Sequence, residues 1–218
     1  MKGEFFIISR IVGEKLASVF NNPNDKILDI GCGKNPKYHE SVKGKIVCFD
    51  VYKTASSTIV GDADELYKYF KPKSFDKVIS VNSFYYFKNP FNVAKYASRI
   101  LKSRGKFVMV APFFYPVHDV PEDKFRFTEY GIKNILGKYF VIDEIKALGG
   151  IFNIPAVLAH SLIKGIPLLF SGKLRAAVKI VMLVFYPLYV VLQLFSLLDF
   201  LDKTRRFPTY YFVVASKK

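Results

Sequence analysis

Short β-branched runs alternate with stretches of helical periodicity over the first half of this chain, and that alternation leaves few folds open. "KILDIG" (26–31), "GKIVCFD" (44–50), "STIVGDAD" (57–64), "FDKVISVN" (75–82) and "KFVMVAPF" (106–113) each have the length and apolar density of a buried strand. Between the last two, Val93, Tyr96, Ala97, Ile100 and Leu101 recur at helical spacing, and the helix is expected to stop at Gly105. Strands joined through helices pair in parallel, so the pattern predicts an α/β sheet with helices on both faces.

The chain has 218 residues, enough for one domain with a substantial core. Hydrophobic residues make up 51% and aromatics 17%, which excludes general disorder. The net charge of +15 favours an anionic partner: nucleic acid, an acidic substrate or an anionic membrane surface. The two cysteines, Cys32 and Cys48, make no disulfide framework, and with three scattered histidines they offer no metal-ligand spacing, so no metal is expected. In the segment 1–24, charges interrupt the apolar residues and no small-residue cleavage site follows, unlike a signal peptide. Ile8, Ile11, Val12, Leu16, Val19 and Phe20 instead mark an amphipathic helix packed on the domain, and a cytoplasmic location is the default.

Chemistry begins where the first run ends, at "LDIGCGKNP". Gly31 and Gly33 let the backbone turn tightly and approach a ligand. Asp50 closes the second run, where a carboxylate can accept hydrogen bonds from both hydroxyls of a ribose. A dinucleotide site would also need a third glycine for the pyrophosphate, and Pro36 stands there. Asp29 would repel a pyrophosphate but would suit a cationic ligand, such as an ammonium or a sulfonium.

With these residues the chain resembles the class I S-adenosylmethionine-dependent methyltransferases, in particular the type 11 group. "ILDIGCGKNP", "VCFD", "GDADEL", "SFDKVISVNSFYYFKNP" and "ILKSRGKFVMVAPF" carry the likeness, which covers roughly residues 25–147 and the last strand, "TYYFVVASKK". It implies one domain over 1–218: a Rossmann-like, seven-stranded, mostly parallel sheet whose last strand is antiparallel. It also implies S-adenosyl-L-methionine as cofactor. Asp29, Gly31 and Gly33 would hold its methionine part, Asp50 the ribose, Val51 the adenine face, and Asp62 with Ala63 the adenine amino edge. Ser80 and Asn82 would line the floor near the methyl group. Members often carry a Glu-His pair after the fourth strand; this chain has Tyr85 and Tyr86, so any base must come from elsewhere.

The stretch "PFFYPVHDVPEDKFRFTEYG" (112–131) offers one. It follows the fifth strand, at the sheet edge where open α/β sheets bind ligands, and is dense in titratable residues. His118 is the leading general base for a hydroxyl acceptor, because imidazole titrates near working pH. Asp123 is the alternative base or the group that orients the imidazole. Arg126 either clamps an anionic substrate group or pairs with Asp123. Thr128 is placed to cap the helix "EYGIKNIL". The motif resembles that of methyltransferases acting on sugars and the cell envelope, which implies a small-molecule or lipid-linked acceptor and O-methylation. Nucleic acid fits less well. "SVNSF" lacks the Pro-Pro-aromatic signature of base amino-group methylation, and neither cysteine is placed to attack cytosine. A non-catalytic, membrane-associated binding module of the same fold is the alternative from another class.

One run stands apart: "IVMLVFYPLYVVLQLFSLL" (180–198) has the length and apolarity of a transmembrane helix. In the implied fold, "KYFVIDEIKAL" (138–148) and "TYYFVVASKK" (209–218) are antiparallel neighbours. A single crossing between them would leave a strand edge unpaired across the membrane. "IFNIPAVLAHSLIKGIPLLF" (151–170) is a poor second span, with His160, Lys164, Pro155 and Pro167, and Pro187 would kink the longer helix. Residues 151–203 are therefore expected to form a helical insertion lying on the membrane or lidding the cleft. Lys164, Lys173, Arg175, Lys179, Lys203, Arg205 and Arg206 border it and suit anionic head groups. The other reading is that its helices cap the sheet or bury an interface between two copies of the chain.

Overall fold

The computed structural model describes residues 6–218. Its seven-stranded sheet has the order β3-β2-β1-β4-β5-β7-β6. The strands are β1 (Lys26–Ile30), β2 (Lys45–Asp50), β3 (Ile59–Val60), β4 (Phe75–Val81), β5 (Leu101–Pro112), β6 (Phe140–Leu148) and β7 (Tyr210–Lys217). Neighbours from β3 through β5 pair in parallel, and β7 runs antiparallel to both β5 and β6. The α/β sheet is the one expected from the alternation of runs, and its Rossmann-like, seven-stranded form with an antiparallel β7 is the one that the resemblance implies.

Successive residues of the central strands point into two cores, as the pleat requires. Leu28, Val78, Phe107 and Val213 face the one-turn helix α2 (Leu66–Tyr69), α3 (Pro90–Ile100) and α4 (Glu129–Leu136). Ile27, Ile79, Val108 and Phe212 face α1 (Phe6–Val19), whose Ile8, Val12 and Leu16 are buried there. The N-terminal helix thus packs on the sheet, and residues 1–5 of the expected 1–24 segment lie outside the described residues. Asn89 caps α3, its side chain accepting from the Asn92 amide at 3.1 Å, and Thr128 caps α4 through the Gly131 amide at 3.1 Å.

Two boundaries differ from expectation. The helix ends at Ile100 rather than at Gly105, because Leu101 already pairs with Phe75 as the first residue of β5. Gly105 instead lies inside the strand, where an added Cβ would come within 2.9 Å of the Asp76 carbonyl oxygen. The third strand shrinks to two residues, because Asp62 turns the chain into a 3₁₀ turn at Ala63–Glu65 by accepting from the Asp64 amide.

The insertion leaves the sheet after β6 and returns at β7. It comprises α5 (Ile154–Gly165), α6 (Gly172–Leu183), α7 (Tyr186–Leu194) and 3₁₀ turns between and after them. Pro155 and Pro187 sit in the first turns of α5 and α7, and α6 and the α7 segment meet at 45°. Entry and exit are stitched together. The Thr209 amide donates to the Leu148 carbonyl (2.9 Å), the Ile151 amide to Asp202 (3.1 Å) and the Phe152 amide to Asp199 (3.1 Å). With both ends side by side, an odd number of membrane crossings is excluded. Residues Ile151–Leu169 are long and apolar enough to cross a membrane, with mean hydropathy 1.4, but Ala156 and Val157 of α5 are buried in the core beside α1.

Candidate active site

The first half of the site is the C-terminal edge of β1, β2 and β4. Gly31 and Gly33 both have left-handed backbone, with φ of +77° and +68°. A Cβ at Gly31 would fall 2.3 Å from the Ser83 side chain, whereas one at Gly33 would meet nothing within 4 Å. The turn is therefore closed on its inner side and open on its outer side, as a cradle for a ligand must be. The Gly33 amide donates to Asp50 Oδ2 (2.8 Å) and the Tyr52 amide to Oδ1 (3.0 Å), which fixes the carboxylate beside the turn. Val51, next to it, is 57% exposed, an apolar face with nothing on it.

Asp29, within β1, is wholly buried. Its Oδ2 accepts from the Tyr38 hydroxyl (2.6 Å) and meets His39 Nε2 (2.6 Å), while Oδ1 has no partner among the described residues. Burial pushes the Asp29 carboxyl above its ordinary value, against the opposing pull of the His39 and Tyr38 hydrogen bonds. Tyr38 and His39 belong to no motif, and only the fold brings them to Asp29. The fold also brings ligand atoms of Asp29, His39 and Cys48 within 4.8 Å of one another, a proximity that spacing along the chain does not show.

Asp62 caps its turn and accepts from Lys88 Nζ (3.0 Å), with Ala63 buried beside it. Ser80 and Asn82 part company. Ser80 is fully buried, and its hydroxyl meets that of Ser83 (2.6 Å), which donates to the Ile30 carbonyl (2.7 Å). This chain ties the end of β4 to the end of β1 rather than lining an opening. Asn82 has φ +51°, and its Oδ1 is buried without a partner among the described residues. It lines a cavity of about 420 Å³ that also takes in Tyr85, Pro112, Tyr115 and His118.

The loop after β5 supplies the other half. The backbone amide of His118 donates to Asp123 Oδ2 (3.0 Å), and its Nδ1 lies 3.0 Å from the Pro116 carbonyl. A proton on Nδ1 satisfies that carbonyl and leaves Nε2 as the acceptor, facing the hydroxyls of Tyr85 (3.0 Å) and Tyr86 (3.2 Å). Tyr86 donates instead to Asp119 Oδ2 (2.7 Å). Burial pushes the Tyr85 phenol up to about 12 and raises that of Tyr86 as well, so both are neutral donors. The tyrosines that replace the Glu-His pair thus receive an imidazole from a different loop.

Asp123 and Arg126 stand behind this histidine. The Asp123 side chain is 1% exposed and forms a two-point pair with Arg126, with NH1 on Oδ1 and NH2 on Oδ2. The same guanidinium donates to the carbonyls of Tyr115, Pro116 and Phe125. Burial alone would raise the Asp123 carboxyl, but the Arg126 and His118 contacts hold it below its ordinary value. It is therefore a weak base that orients His118, and Arg126 is spent on the loop rather than held out to a substrate.

The open Gly33 turn, Asp50 and the bare face of Val51 suit a ribose-bearing ligand. Residues 28–109 match the family described as the type 11 methyltransferase domain. No curated protein sequence matches the chain. Among solved structures it resembles a protein assigned as a sarcosine dimethylglycine methyltransferase from Galdieria sulphuraria, with TM-score 0.61 and 15% identity over 96% of this chain and 86% of the other. A protein assigned as a methyltransferase from Bacillus halodurans C-125 gives TM-score 0.58 and 14% identity, over 94% and 98%. Phosphoethanolamine N-methyltransferase 2 of Haemonchus contortus, solved with S-adenosyl-L-methionine, gives 0.58 and 18%; the match spans 95% of this chain and 52% of that one. These likenesses establish the fold. Together with the match over residues 28–109, they support an S-adenosylmethionine-dependent methyltransferase with S-adenosylmethionine as cofactor.

Proposed function

We propose that the chain methylates a hydroxyl on a small-molecule or lipid-linked acceptor held in the cavity between Asn82, Tyr85 and His118. One observation carries the reading: His118, its Nδ1 occupied by the Pro116 carbonyl, lines a cavity together with Asn82 just past the end of β4. When bound, S-adenosylmethionine supplies a methyl group activated on a sulfonium. Asp29, Gly31, Gly33, Asp50, Val51, Asp62 and Ala63 are the residues assigned to hold it. His118 Nε2 takes the proton of the acceptor hydroxyl, which reaches it in place of the Tyr85 hydroxyl, and Asp123 keeps the imidazole turned to the cavity. The buried Asn82 carbonyl oxygen accepts a second acceptor hydroxyl or amine and so sets its orientation.

Around this chemistry we place the protein on the cytoplasmic face of an anionic membrane, docked through 151–203. Exposed apolar side chains of α6, among them Ile180 and Leu183, are flanked by Lys173 and Lys179. A dimer of two copies through the same face is the competing outcome. Flotation with anionic liposomes at low salt decides between them, since protein that stays at the bottom as a dimer supports the second. For the reaction itself, labelled cofactor is offered with lipid extract, soluble metabolites and RNA in parallel. Label in the lipid or metabolite fraction supports the proposal, and label confined to RNA overturns it.

A further inference from the structure

The cavity beside His118 does not end at the insertion. His160 and Lys164 of α5 form part of its wall, and the same two residues line a second hollow of about 430 Å³ between α5 and α6. The two hollows therefore adjoin across His160 and Lys164, yet their chemistry differs. Asn82, Tyr85 and His118 make the first polar. Ile163, Pro167, Ile180, Met182 and Leu183 make the second apolar. Ile180 is 68% exposed and Leu183 is 62% exposed, so neither owes its place to the core. Lys164 stands at the junction, and Lys179 also lines the apolar hollow. Among the described residues, no carboxylate pairs with either lysine. Cations left unpaired beside an apolar groove suit an anionic group attached to a hydrocarbon.

We infer that the two hollows form one cleft for an amphiphile: the acceptor group at His118, an anionic linker at Lys164 and Lys179, and an apolar tail against Ile163, Ile180 and Leu183. The inference rests on the reading of the first cavity as the methyl-transfer site, and it names the substrate class of that site. A tail seated there would cover apolar side chains that the domain itself leaves in water.

Binding of an alkyl phosphate series, hexyl to decyl and below micelle formation, tests the cleft by calorimetry on the full chain saturated with S-adenosylhomocysteine. Each added methylene should tighten binding by up to about fourfold. Leu183→Glu and Ile180→Glu should flatten that dependence, while Leu197→Glu, outside the groove, should leave it unchanged. Lys164→Glu should weaken every alkyl phosphate by about tenfold or more without affecting the matching alcohols. Affinity independent of chain length, or an unchanged dependence in Leu183→Glu, overturns the inference. The readout involves no chemistry, so it separates the two readings. A chain-length dependence in protein that methylates nothing upholds the cleft and sinks the methyl-transfer reading. Methylation of a tail-free acceptor with no such dependence does the reverse.

Discussion

The helices α3 and α6 have nearly equal lengths, 11 and 12 residues, and opposite fates. In α3, Val93, Ala94, Ala97 and Ile100 are buried against the sheet while Lys95 and Arg99 face outward. In α6 no residue is buried, although Val178, Ile180, Val181 and Leu183 are as apolar as anything in α3. The sheet explains the first set completely. Nothing inside the described chain explains the second, so its apolarity points to something outside: a substrate tail, a lipid surface or another copy of the chain.

That contrast can be broken most sharply by stability measurements. Leu28→Ala removes a fully buried side chain and should cost about 2–5 kcal/mol in urea unfolding. Leu183→Ala should stay within about 0.5 kcal/mol, as exposed positions do. Comparable losses at both would show that α6 is core after all.

Removing Arg126 leaves the Asp123 carboxylate buried behind His118. Arg126→Ala should destabilise the chain by roughly 2–4 kcal/mol, a little below a fully enclosed pair because the arginine side chain is 23% exposed. A neutral result would mean that the loop is held by its backbone alone. On the cofactor side, Asp50→Ala should weaken S-adenosylmethionine binding by about 1.5–3 kcal/mol, read by calorimetry, since a charge-assisted hydrogen bond is lost. Unchanged affinity would place the ribose elsewhere.

The smallest expected effect is on acid stability. The Asp123 carboxyl is held below its ordinary value of 3.8 in the folded state. Its contribution is therefore complete above that value and is lost as pH falls through the lower, folded one. Wild-type stability should drop in that acid window, and the Arg126→Ala variant should show a shallower drop there. An equally steep loss in both would remove Asp123 from the account.

Much of this was legible in the sequence, for physical reasons. Strands buried on both faces read as unbroken apolar runs, so β1, β2, β4 and β5 stood out, whereas β7 and its antiparallel pairing with β6 came only from the family resemblance. The turn at Gly31 and Gly33 and the acid at Asp50 were visible because backbone conformation dictates residue type there. The end of α3 was not legible, since Ile100 and Leu101 suit helix and strand equally and only pairing with Phe75 decides between them. Nor was the meeting of His118 with Tyr85 and Tyr86, which joins loops 32 and 33 residues apart in the chain. The resemblance set Ser80 and Asn82 together on the floor, but Ser80 lies buried within β4, whereas Asn82, just past the strand with φ +51°, reaches the cavity. The starts of α5 and α7 depended on Pro155 and Pro187 falling in a first turn, and apolarity alone does not reveal that.

The central claim is that His118 removes a proton from an acceptor at the cavity. Single-turnover methyl transfer from labelled cofactor to the accepting fraction, comparing wild type with His118→Ala, tests it most directly. The account predicts a loss of roughly 10²–10⁴-fold in rate with cofactor affinity unchanged. A His118→Ala variant that transfers the methyl group at the wild-type rate would contradict it.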